Sequence, residues 1–495
     1  MEMLRLLTKL SKTSLLSVRG LWQLARALRR QGANLMAFLD FAASMFPDEV
    51  AIDDGRELLH YRELYSQSQS LALYLHLQYG IASASRVALL SHSHSNFVMA
   101  LYALSRLGAD MTLVNTAFSK KQIAQLLAEN SIEFLVFDDD LHEKIPAHFI
   151  QVISLNELKK VHFTPKQRIK RQRAGILNVP TGGTSGKVKL AGRRPSGFAF
   201  LPPFLALLDR LNLHQHKSLY IAVPACHGYG LSCLILTLFL GKKVLLRPAF
   251  DSDLFQKGKV DVIALVPTQL NRMRHVEMSG LKVILSGGAP LAASLSREIL
   301  AQKGPALYNL YGSSELGFAV LAGPEDLEKY PNTIGKAIPG VSVQILNKKG
   351  GKQAANETGL LQLKTSWSAG SAKCRFISTG DLAYMNEEGF LFLKGRCDDM
   401  IVSGGVNVYP VDLENVLLEH PAISEAAVIG VADDDFGERL VAFAVSDVGE
   451  KEIREWLMPR IARFQNPKAI VFLEEMPVLA TGKVDREKLR KKSAG

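Results

Sequence analysis

The sequence contains few cysteines and no long apolar run, and both absences narrow the classes of protein to consider. Four cysteines occur among 495 residues, and none of them forms a C-x-x-C pair. A disulfide scaffold is therefore excluded, a structural zinc site is not expected, and a reducing compartment is predicted. No apolar run reaches the ~18–20 residues that a bilayer-spanning helix needs, which excludes an integral membrane protein.

Basic residues exceed acidic ones, but the excess is concentrated at the N-terminus. The chain carries 59 lysines and arginines against 48 acids, a net charge of +11. Residues 1–30 contribute seven basic residues and one acid, or +6, so the remaining chain carries only +5. No basic stripe with interleaved aromatic residues follows, and nucleic-acid binding is not expected.

The N-terminal segment, residues 1–30, has the pattern of a basic amphipathic helix. Its apolar residues recur at helical spacing, with arginines at the other positions. These apolar residues are Leu15, Val18, Leu21, Trp22, Ala25 and Leu28. The pattern predicts peripheral contact with an anionic membrane, which would place a cytoplasmic protein on the inner membrane face. Docking on the protein's own surface and an organelle transit peptide remain alternatives.

The rest of the chain alternates short apolar strands with amphipathic helices. We predict an α/β fold, with a large N-terminal domain of mixed and parallel sheets flanked by helices. After residue 398 the pattern changes to that of a small, mobile α+β domain. The predicted boundaries are 1–30 for the N-terminal helix, 31–396 for the large domain, 397–398 for a hinge and 399–495 for the small domain. His92 and His94 could suggest a metal site, but no further metal-ligand cluster accompanies them in the sequence, and the alternation of Ser and His favours a strand end.

One glycine-rich loop has the composition of a phosphate cradle. Glycines expose backbone N–H groups, while hydroxyls and lysines add donors for an anion. The residues concerned are Thr181, Gly182, Gly183, Thr184, Ser185, Gly186, Lys187 and Lys189. It is not a Walker A loop, because Thr181 and Val188 replace the first glycine and the magnesium-binding hydroxyl of that motif. A flexible turn is the alternative.

Other motifs follow this loop in a fixed order. They are SGGAPL (286–291), NLYGSSELG (309–317), TIGKAIPG (333–340), STGDL (378–382), KGRCDDMIVSGGVNVYP (394–410) and PVLATGKVDR (477–486). With the loop, they resemble the adenylate-forming superfamily, which contains acyl-CoA synthetases, adenylation domains of peptide synthetases and firefly-type luciferases. The resemblance extends from about residue 50 to residue 490. It implies ATP, Mg²⁺ and coenzyme A as cofactors and a small carboxylic acid as substrate.

The resemblance also implies a role for each matched residue. Residues 181–189 would hold the ATP phosphates, although Gly182, Val188 and Leu190 depart from the family pattern. Tyr311 would stack on adenine, with Gly312 and Ser314 nearby and Gly287, Gly288 and Ala289 on the other side of the base. Glu315 and Thr184 would hold Mg²⁺, and His227 would lie at the acyl pocket. Asp381 would accept hydrogen bonds from the ribose hydroxyls, and Arg396 would bind the ribose or a phosphate. Lys483 would bridge the substrate carboxylate and the α-phosphate, as a catalytic residue with His227, Thr184 and Glu315.

The resemblance further implies that the small domain rotates about Asp398 between two half-reactions. Ser403, Gly404 and Gly405 would line the thiol tunnel in the second, where Val406 departs from the usual Glu. Among the subfamilies, the motifs most resemble bacterial fatty acyl-CoA synthetases, which predicts a medium- or long-chain fatty acid. Alternatives are another acid such as an aryl acid, transfer to an acyl carrier protein, a luciferase-type oxygenase, and a catalytically weak acid- or nucleotide-binding relative.

Overall fold

The structure of this chain is a computed structural model. It describes residues 15, 17–147, 151–158, 169–181, 189–194, 201–248, 250–251, 253–256, 260–278, 280–369, 374–403, 406–433, 436–479 and 482–493. Residues 1–14 and 16 of the predicted N-terminal helix therefore lie outside the described part of the chain. In the described part, no helix has the length and apolar character needed to cross a bilayer.

Helices and strands alternate through most of the chain. The helices are Val18–Gln31, Leu35–Met45, Tyr61–Tyr79, Ser95–Leu107, Lys120–Glu129, Leu155–Leu158, Leu201–Leu211, Gly228–Phe239, Asp253–Gln256, Pro267–Arg272, Ala293–Lys303, Pro324–Lys329, Pro410–Leu417, Glu450–Leu457 and Arg486–Ser493. The strands of the first half are β1 Val50–Asp53, β2 Leu58–His60, β3 Arg86–Leu90, β4 Asp110–Val114, β5 Phe134–Phe137, β6 Val152–Ser154, β7 Leu177–Thr181, β8 Lys189–Arg193, β9 Ser218–Ile221, β10 Lys243–Leu245, β11 Val262–Leu265 and β12 Val283–Gly287. Those of the second half are β13 Leu307–Ser313, β14 Gly317–Ala322, β15 Thr333–Ala337, β16 Ser342–Leu346, β17 Gly359–Lys364, β18 Ile377–Met385, β19 Leu391–Arg396, β20 Ile401–Ser403, β21 Val406–Val408, β22 Ile423–Asp433, β23 Gly437–Ser446 and β24 Ala469–Phe472.

A six-stranded sheet is formed in the order β6-β5-β3-β4-β7-β8. Its strands run parallel except for the β7–β8 hairpin, which is antiparallel. Helix Ser95–Leu107 is buried at every position and ends at Gly108, whose φ of 73° is the left-handed conformation that glycine adopts most readily. The apolar run of β3 is nearly continuous because helices cover both faces of such a sheet.

A thirteen-stranded sheet forms the rest of the large unit, which we define as residues 17–396. Strands β1, β10, β9, β11, β12 and β13 run parallel, and from β13 through β19 the pairing becomes antiparallel. The carboxyl ends of β12 and β13 therefore lie side by side at one edge. In parallel sheets, this edge is where ligands bind.

The small unit, defined as residues 401–493, has its own core and sheet. The path β21-β20-β23-β22 is extended by β24, which pairs with β23. Leu413, Leu417 and Ile453 from two helices pack on this sheet. The two units together confirm the predicted α/β class with a small α+β unit, while the exact domain boundaries remain a prediction.

One helix of the small unit is shorter than its sequence pattern predicts. The sequence pattern predicts a helix at 451–464, but the helix is Glu450–Leu457. Pro459 follows closely. A proline has no backbone N–H for the next helical hydrogen bond, and its ring clashes with the carbonyl group four residues earlier. The prediction was therefore wrong at its C-terminal end.

Direct contacts join the two units. Asn271 Nδ2 donates a hydrogen bond to the Ser424 carbonyl oxygen over 2.8 Å, and Arg272 pairs with Glu475 at 2.9 Å. The Thr268 hydroxyl donates to the carbonyl oxygen of Gly482. These contacts hold the small unit over the edge of the large sheet and leave a cleft between them.

Candidate active site

Most of the predicted site residues line one cleft between the large and small units. Strands β12 and β13 bring the motifs SGGAPL (286–291) and NLYGSSELG (309–317) to this cleft. Strands β18 and β19 bring Asp381 and Arg396, and the turn before helix Arg486–Ser493 brings Lys483. The predicted residues that line it are His227, Gly287, Gly288, Ala289, Tyr311, Gly312, Ser314, Glu315, Asp381, Arg396, Asp398 and Lys483.

The predicted phosphate loop lies between β7 and β8 in the sequence. Thr181 and Lys189 are cross-strand partners at the ends of the two strands. Gly182, Gly183, Thr184, Ser185, Gly186 and Lys187 lie outside the described residues, as do Gly404 and Gly405 of the predicted thiol tunnel. Their roles remain predictions.

Asp381 on β18 lies at the centre of a hydrogen-bonded group with Tyr311 on β13 and Arg396 on β19. The Tyr311 hydroxyl donates to Asp381 Oδ2 over 2.5 Å, and Arg396 Nη1 lies 3.4 Å from Oδ1. Burial raises the pKa of Asp381, while the Tyr311 hydrogen bond and the Arg396 charge oppose the increase. Burial and the Asp381 charge raise the pKa of Tyr311, so the phenol stays protonated and donates. Tyr311, which is predicted to stack on adenine, therefore lies beside Asp381, which is predicted to bind the ribose.

Gly380 has a backbone conformation that the Asp381–Arg396 pair requires. Its φ is 75°, and a Cβ there would lie 2.7 Å from Arg396 Nη2. A side chain would therefore displace the guanidinium from Asp381. Only glycine combines this φ with the close approach.

Lys483 is carried into the cleft by a tight turn. Leu479 N–H donates to the Lys483 carbonyl over 2.7 Å, and Gly482 N–H donates to the Leu479 carbonyl over 2.8 Å. The side chain is open to the solvent of the cleft, but the surrounding walls desolvate its ammonium and lower its pKa. The charge of Asp381 opposes this effect, and that of Arg396 adds to it. Lys483 of the small unit therefore interacts electrostatically with Asp381 and Arg396 of the large unit.

The lowered pKa predicts how acyl-adenylate formation depends on pH. The protonated ammonium is the form that neutralises anions, so kcat/KM should fall as the pH rises through a value below the ordinary lysine pKa of about 10.4. Lys483→Arg should move this decline to higher pH, because a guanidinium stays protonated to about pH 12 or above. The measurement is pyrophosphate release against pH. An identical decline in both proteins would show that another group titrates.

His227 is a neutral imidazole that also lines the cleft. It precedes helix Gly228–Phe239, and its Nε2 lies 3.2 Å from Asn115 Nδ2. Burial lowers the pKa of His227 to about 4, the Lys483 charge adds to this effect, and a hydrogen bond with the backbone of Pro180 opposes it. At neutral pH this side chain therefore orients neighbours without adding charge.

Glu315 and Arg193 lie close enough in the cleft to interact electrostatically. Glu315 is exposed, and Mg²⁺ prefers carboxylate oxygens as ligands, so this residue is suited to bind Mg²⁺. Arg193 Nη2 donates to the Ser314 carbonyl over 2.6 Å, but no described residue accepts from its buried Nε. Burial lowers the pKa of Arg193 to about 10, and the Glu315 charge opposes the decrease. Arg193 was not predicted as a site residue, because nothing in the sequence distinguishes it from the adjacent Arg194.

The predicted hinge residue, Asp398, lines the cleft, whereas Ser403 of the predicted thiol tunnel does not. Asp398 Oδ2 is 3.2 Å from Arg396 Nη2, in the segment that connects β19 to β20. Ser403 is buried within the small unit and is not part of the described cleft lining. Both roles require another arrangement of the two units and remain predictions.

A second group of metal-capable side chains lies at the ends of β3 and β5. Ligand atoms of His92, Asp138 and Asp140 lie within 4.8 Å of one another, so the statement that no cluster accompanies His92 was wrong. Asp138 Oδ2 already accepts from Ser91 and from His94 Nε2, at 2.9 and 2.8 Å. These contacts make Asp138 part of a network that holds the two strand ends together.

Comparisons with known proteins agree with this architecture. A family model described as AMP-binding enzyme matches residues 39–370, and one described as AMP-binding enzyme C-terminal domain matches residues 412–483. The 2-succinylbenzoate–CoA ligase of Bacillus cereus is 30% identical over 478 residues, which cover 90% of this chain and 96% of the relative. The o-succinylbenzoate CoA synthetase of Bacillus subtilis, solved with the acyl-adenylate OSB-AMP, has a TM-score of 0.80 and 27% identity, covering 92% and 97% of the two chains. The same synthetase, solved with ATP and a magnesium ion, has a TM-score of 0.81 and 26% identity, covering 92% and 99%.

Proposed function

Because this chain belongs to the AMP-binding enzyme family, we propose that it is an AMP-forming acid–CoA ligase whose substrate is an aromatic acid with a second carboxylate. ATP, Mg²⁺ and CoA are its cofactors and co-substrates. The ligase first joins a carboxylate to AMP and releases pyrophosphate, and the CoA thiol then replaces AMP. The observation that supports the first step is the meeting of Lys483, from the small unit, with Asp381 and Arg396 in one cleft.

The first step must bring two anions together, and this chain supplies the opposing charge. A carboxylate that attacks the α-phosphorus meets the negative charge of the triphosphate. The Lys483 ammonium, placed between them, offsets that repulsion where negative charge develops. A site already assembled from both units gains from positioning as well, because the reactants need no further orientation.

The other residues of the cleft position the reactants. Asp381 would accept hydrogen bonds from the ribose hydroxyls, with Arg396 and Tyr311 fixing its orientation. Neutral His227 would direct the acid without competing with Lys483 for the carboxylate. Mg²⁺, when bound, neutralises phosphate charge, and Glu315 would hold it, with Thr184 as a predicted second ligand.

The acid is proposed from Arg193 together with the relatives. The relatives named above act on 2-succinylbenzoate, which has two carboxylates, so one remains after activation. A carboxylate in a partly closed pocket needs a cation and hydrogen bonds. Arg193 lines the cleft, and its guanidinium lies 3.6 Å from the position of a Cβ at Gly317. Its Nε, which has no acceptor among the described residues, is available to the second carboxylate.

Replacing Arg193 with alanine tests this assignment. With 2-succinylbenzoate, kcat/KM for pyrophosphate release should fall by about 10²-fold or more, because a charge-assisted pair is lost. With benzoate or octanoate, which lack the second carboxylate, it should change less than about threefold. Arg194→Ala is the matched control, since that neighbour is exposed.

Two outcomes would contradict the proposal. An equal loss with every acid would assign Arg193 to the phosphates or to Glu315. If the unaltered protein turned over monocarboxylates only, the proposed dicarboxylate substrate would be contradicted. The proposed ligase activity would not.

A fatty acid remains the second candidate. The resemblance to fatty acyl-CoA synthetases was only approximate, since the relatives compared above are 2-succinylbenzoate–CoA ligases. The cleft nevertheless has an apolar wall, formed by Leu207, Leu211, Leu236 and Leu240. Such a wall suits an alkyl chain, and octanoate turnover would favour it. Transfer to a carrier protein is tested in the same assay by replacing CoA with a phosphopantetheinyl carrier.

A further inference from the structure

Helix Val18–Gln31 presents its apolar side chains to solvent. Val18, Leu21, Trp22 and Leu28 are 87%, 52%, 59% and 37% exposed. At 3.6 residues per turn, these positions share one side of the helix. Scattered apolar side chains are ordinary on a protein surface, but a helix that directs this whole set outward is not.

The opposite face anchors the helix to the large unit. Gly20, Ala27 and Gln31 are its buried residues. The Gln31 side chain donates to Asp40 Oδ2 over 2.6 Å, which ties the end of the helix to helix Leu35–Met45. The helix is therefore docked through small and polar residues, and the apolar face is left without a partner among the described residues.

The charges beside the apolar face have one sign. Residues 18–31 contain four arginines and no acid. Arg30 pairs with Asp40 at 3.8 Å, whereas Arg19, Arg26 and Arg29 are exposed beside the apolar residues. The Arg26 guanidinium lies 5.5 Å from the centre of the Trp22 ring, which places a cation next to the largest apolar group. The surface that complements this face is apolar and negatively charged.

We propose that helix Val18–Gln31 lies flat on an anionic lipid bilayer. Trp22, Leu21 and Val18 enter the boundary between headgroups and acyl chains, and Arg26 and Arg29 contact lipid phosphates. A second copy of this chain fits the face poorly, because a two-fold pairing would bring arginines of both copies together. A single 14-residue helix face is also small beside the ~1,200–2,000 Å² of a stable interface.

Co-sedimentation of the full chain with vesicles tests the proposal. Vesicles of phosphatidylcholine and phosphatidylglycerol at about 7:3 should retain the protein, whereas pure phosphatidylcholine should retain much less. L21Q/W22Q should lower binding by about tenfold or more, since two apolar side chains are removed from the interface. R26Q/R29Q should lower it by about tenfold or more at low salt and less at high salt, where screening already weakens those contacts.

Controls separate a lipid surface from folding defects and from self-association. Met458, which is 74% exposed on the small unit, provides M458Q, which should bind vesicles normally. No residue of the helix lines the described cleft, so pyrophosphate release with soluble acids should be unchanged in every variant. Equal retention by both vesicle types, unaltered binding of L21Q/W22Q, or a dimer in sedimentation velocity that L21Q/W22Q abolishes would overturn the proposal.

Discussion

Replacing Lys483 with alanine should lower the rate of acyl-adenylate formation by about 10²–10³-fold, the range typical of removing one group that stabilises charge in a transition state. Thioester formation from supplied acyl-adenylate should fall by less than about threefold, because that step has no carboxylate–phosphate repulsion to offset. Pyrophosphate release measures the first step. Acyl-CoA formed from synthetic acyl-adenylate measures the second.

A matched control is available in the same segment. Lys488 is exposed on helix Arg486–Ser493 and does not line the described cleft, so Lys488→Ala should leave both steps unchanged. An equal decrease of both steps in Lys483→Ala would contradict the assigned role. It would indicate that the lysine supports the fold of the small unit or the binding of the nucleotide in general.

Replacing Gly482 with alanine should block the same step by a different route. Gly482 has a φ of 76°, and a Cβ there would lie 2.5 Å from Val266 Cγ2 on the large unit. The small unit could not then seat its lysine turn without a shift, and a displacement of about 1 Å can cost 10²-fold in rate. Adenylate formation should therefore fall by about 10²-fold, while thioester formation from acyl-adenylate is largely retained.

Two further variants identify the cause of that loss. Gly449→Ala is the control, because its φ is −83° and no atom lies within 4 Å of the added Cβ. Val266→Ala removes the obstructing methyl group, so it should restore part of the activity of Gly482→Ala. Recovery should be incomplete, since alanine still pays for a left-handed φ. No recovery would show that backbone strain alone causes the loss.

Local patterns in the sequence predicted much of the architecture. The continuous apolar runs RVALLS (86–91) and KVILSGG (282–288) predict β3 and β12, and Gly108 predicts the end of helix Ser95–Leu107, because burial and helix capping depend on neighbours in the chain. The antiparallel region from β13 to β19 was not predicted strand by strand. Its pairing joins segments that are distant in sequence, and short patterns carry no information about partners.

The site was predictable only where a motif marked it. Lys483 and Asp381 are 102 positions apart, and their meeting depends on how the small unit docks. Arg193 could not have been distinguished from Arg194, because the difference in burial depends on where β8 ends: Arg193 is its last residue, and Arg194 lies beyond it and is exposed. Thr268 contacts Gly482 only because the two units dock, so this contact was not predictable from local sequence either.

With the predicted rotation of the small unit about Asp398, the contacts between the units would set a compromise between the two halves of the catalytic cycle. Asn271, Arg272 and Thr268 hold the small unit where its lysine faces the large unit. Backbone hydrogen bonds within the small unit hold the turn around Gly482, so the Lys483 ammonium moves together with the small unit. Strengthening these contacts would enrich the arrangement that makes the mixed anhydride and delay its consumption by the thiol, and weakening them would do the reverse. Turnover should therefore be fastest at an intermediate strength of this interface.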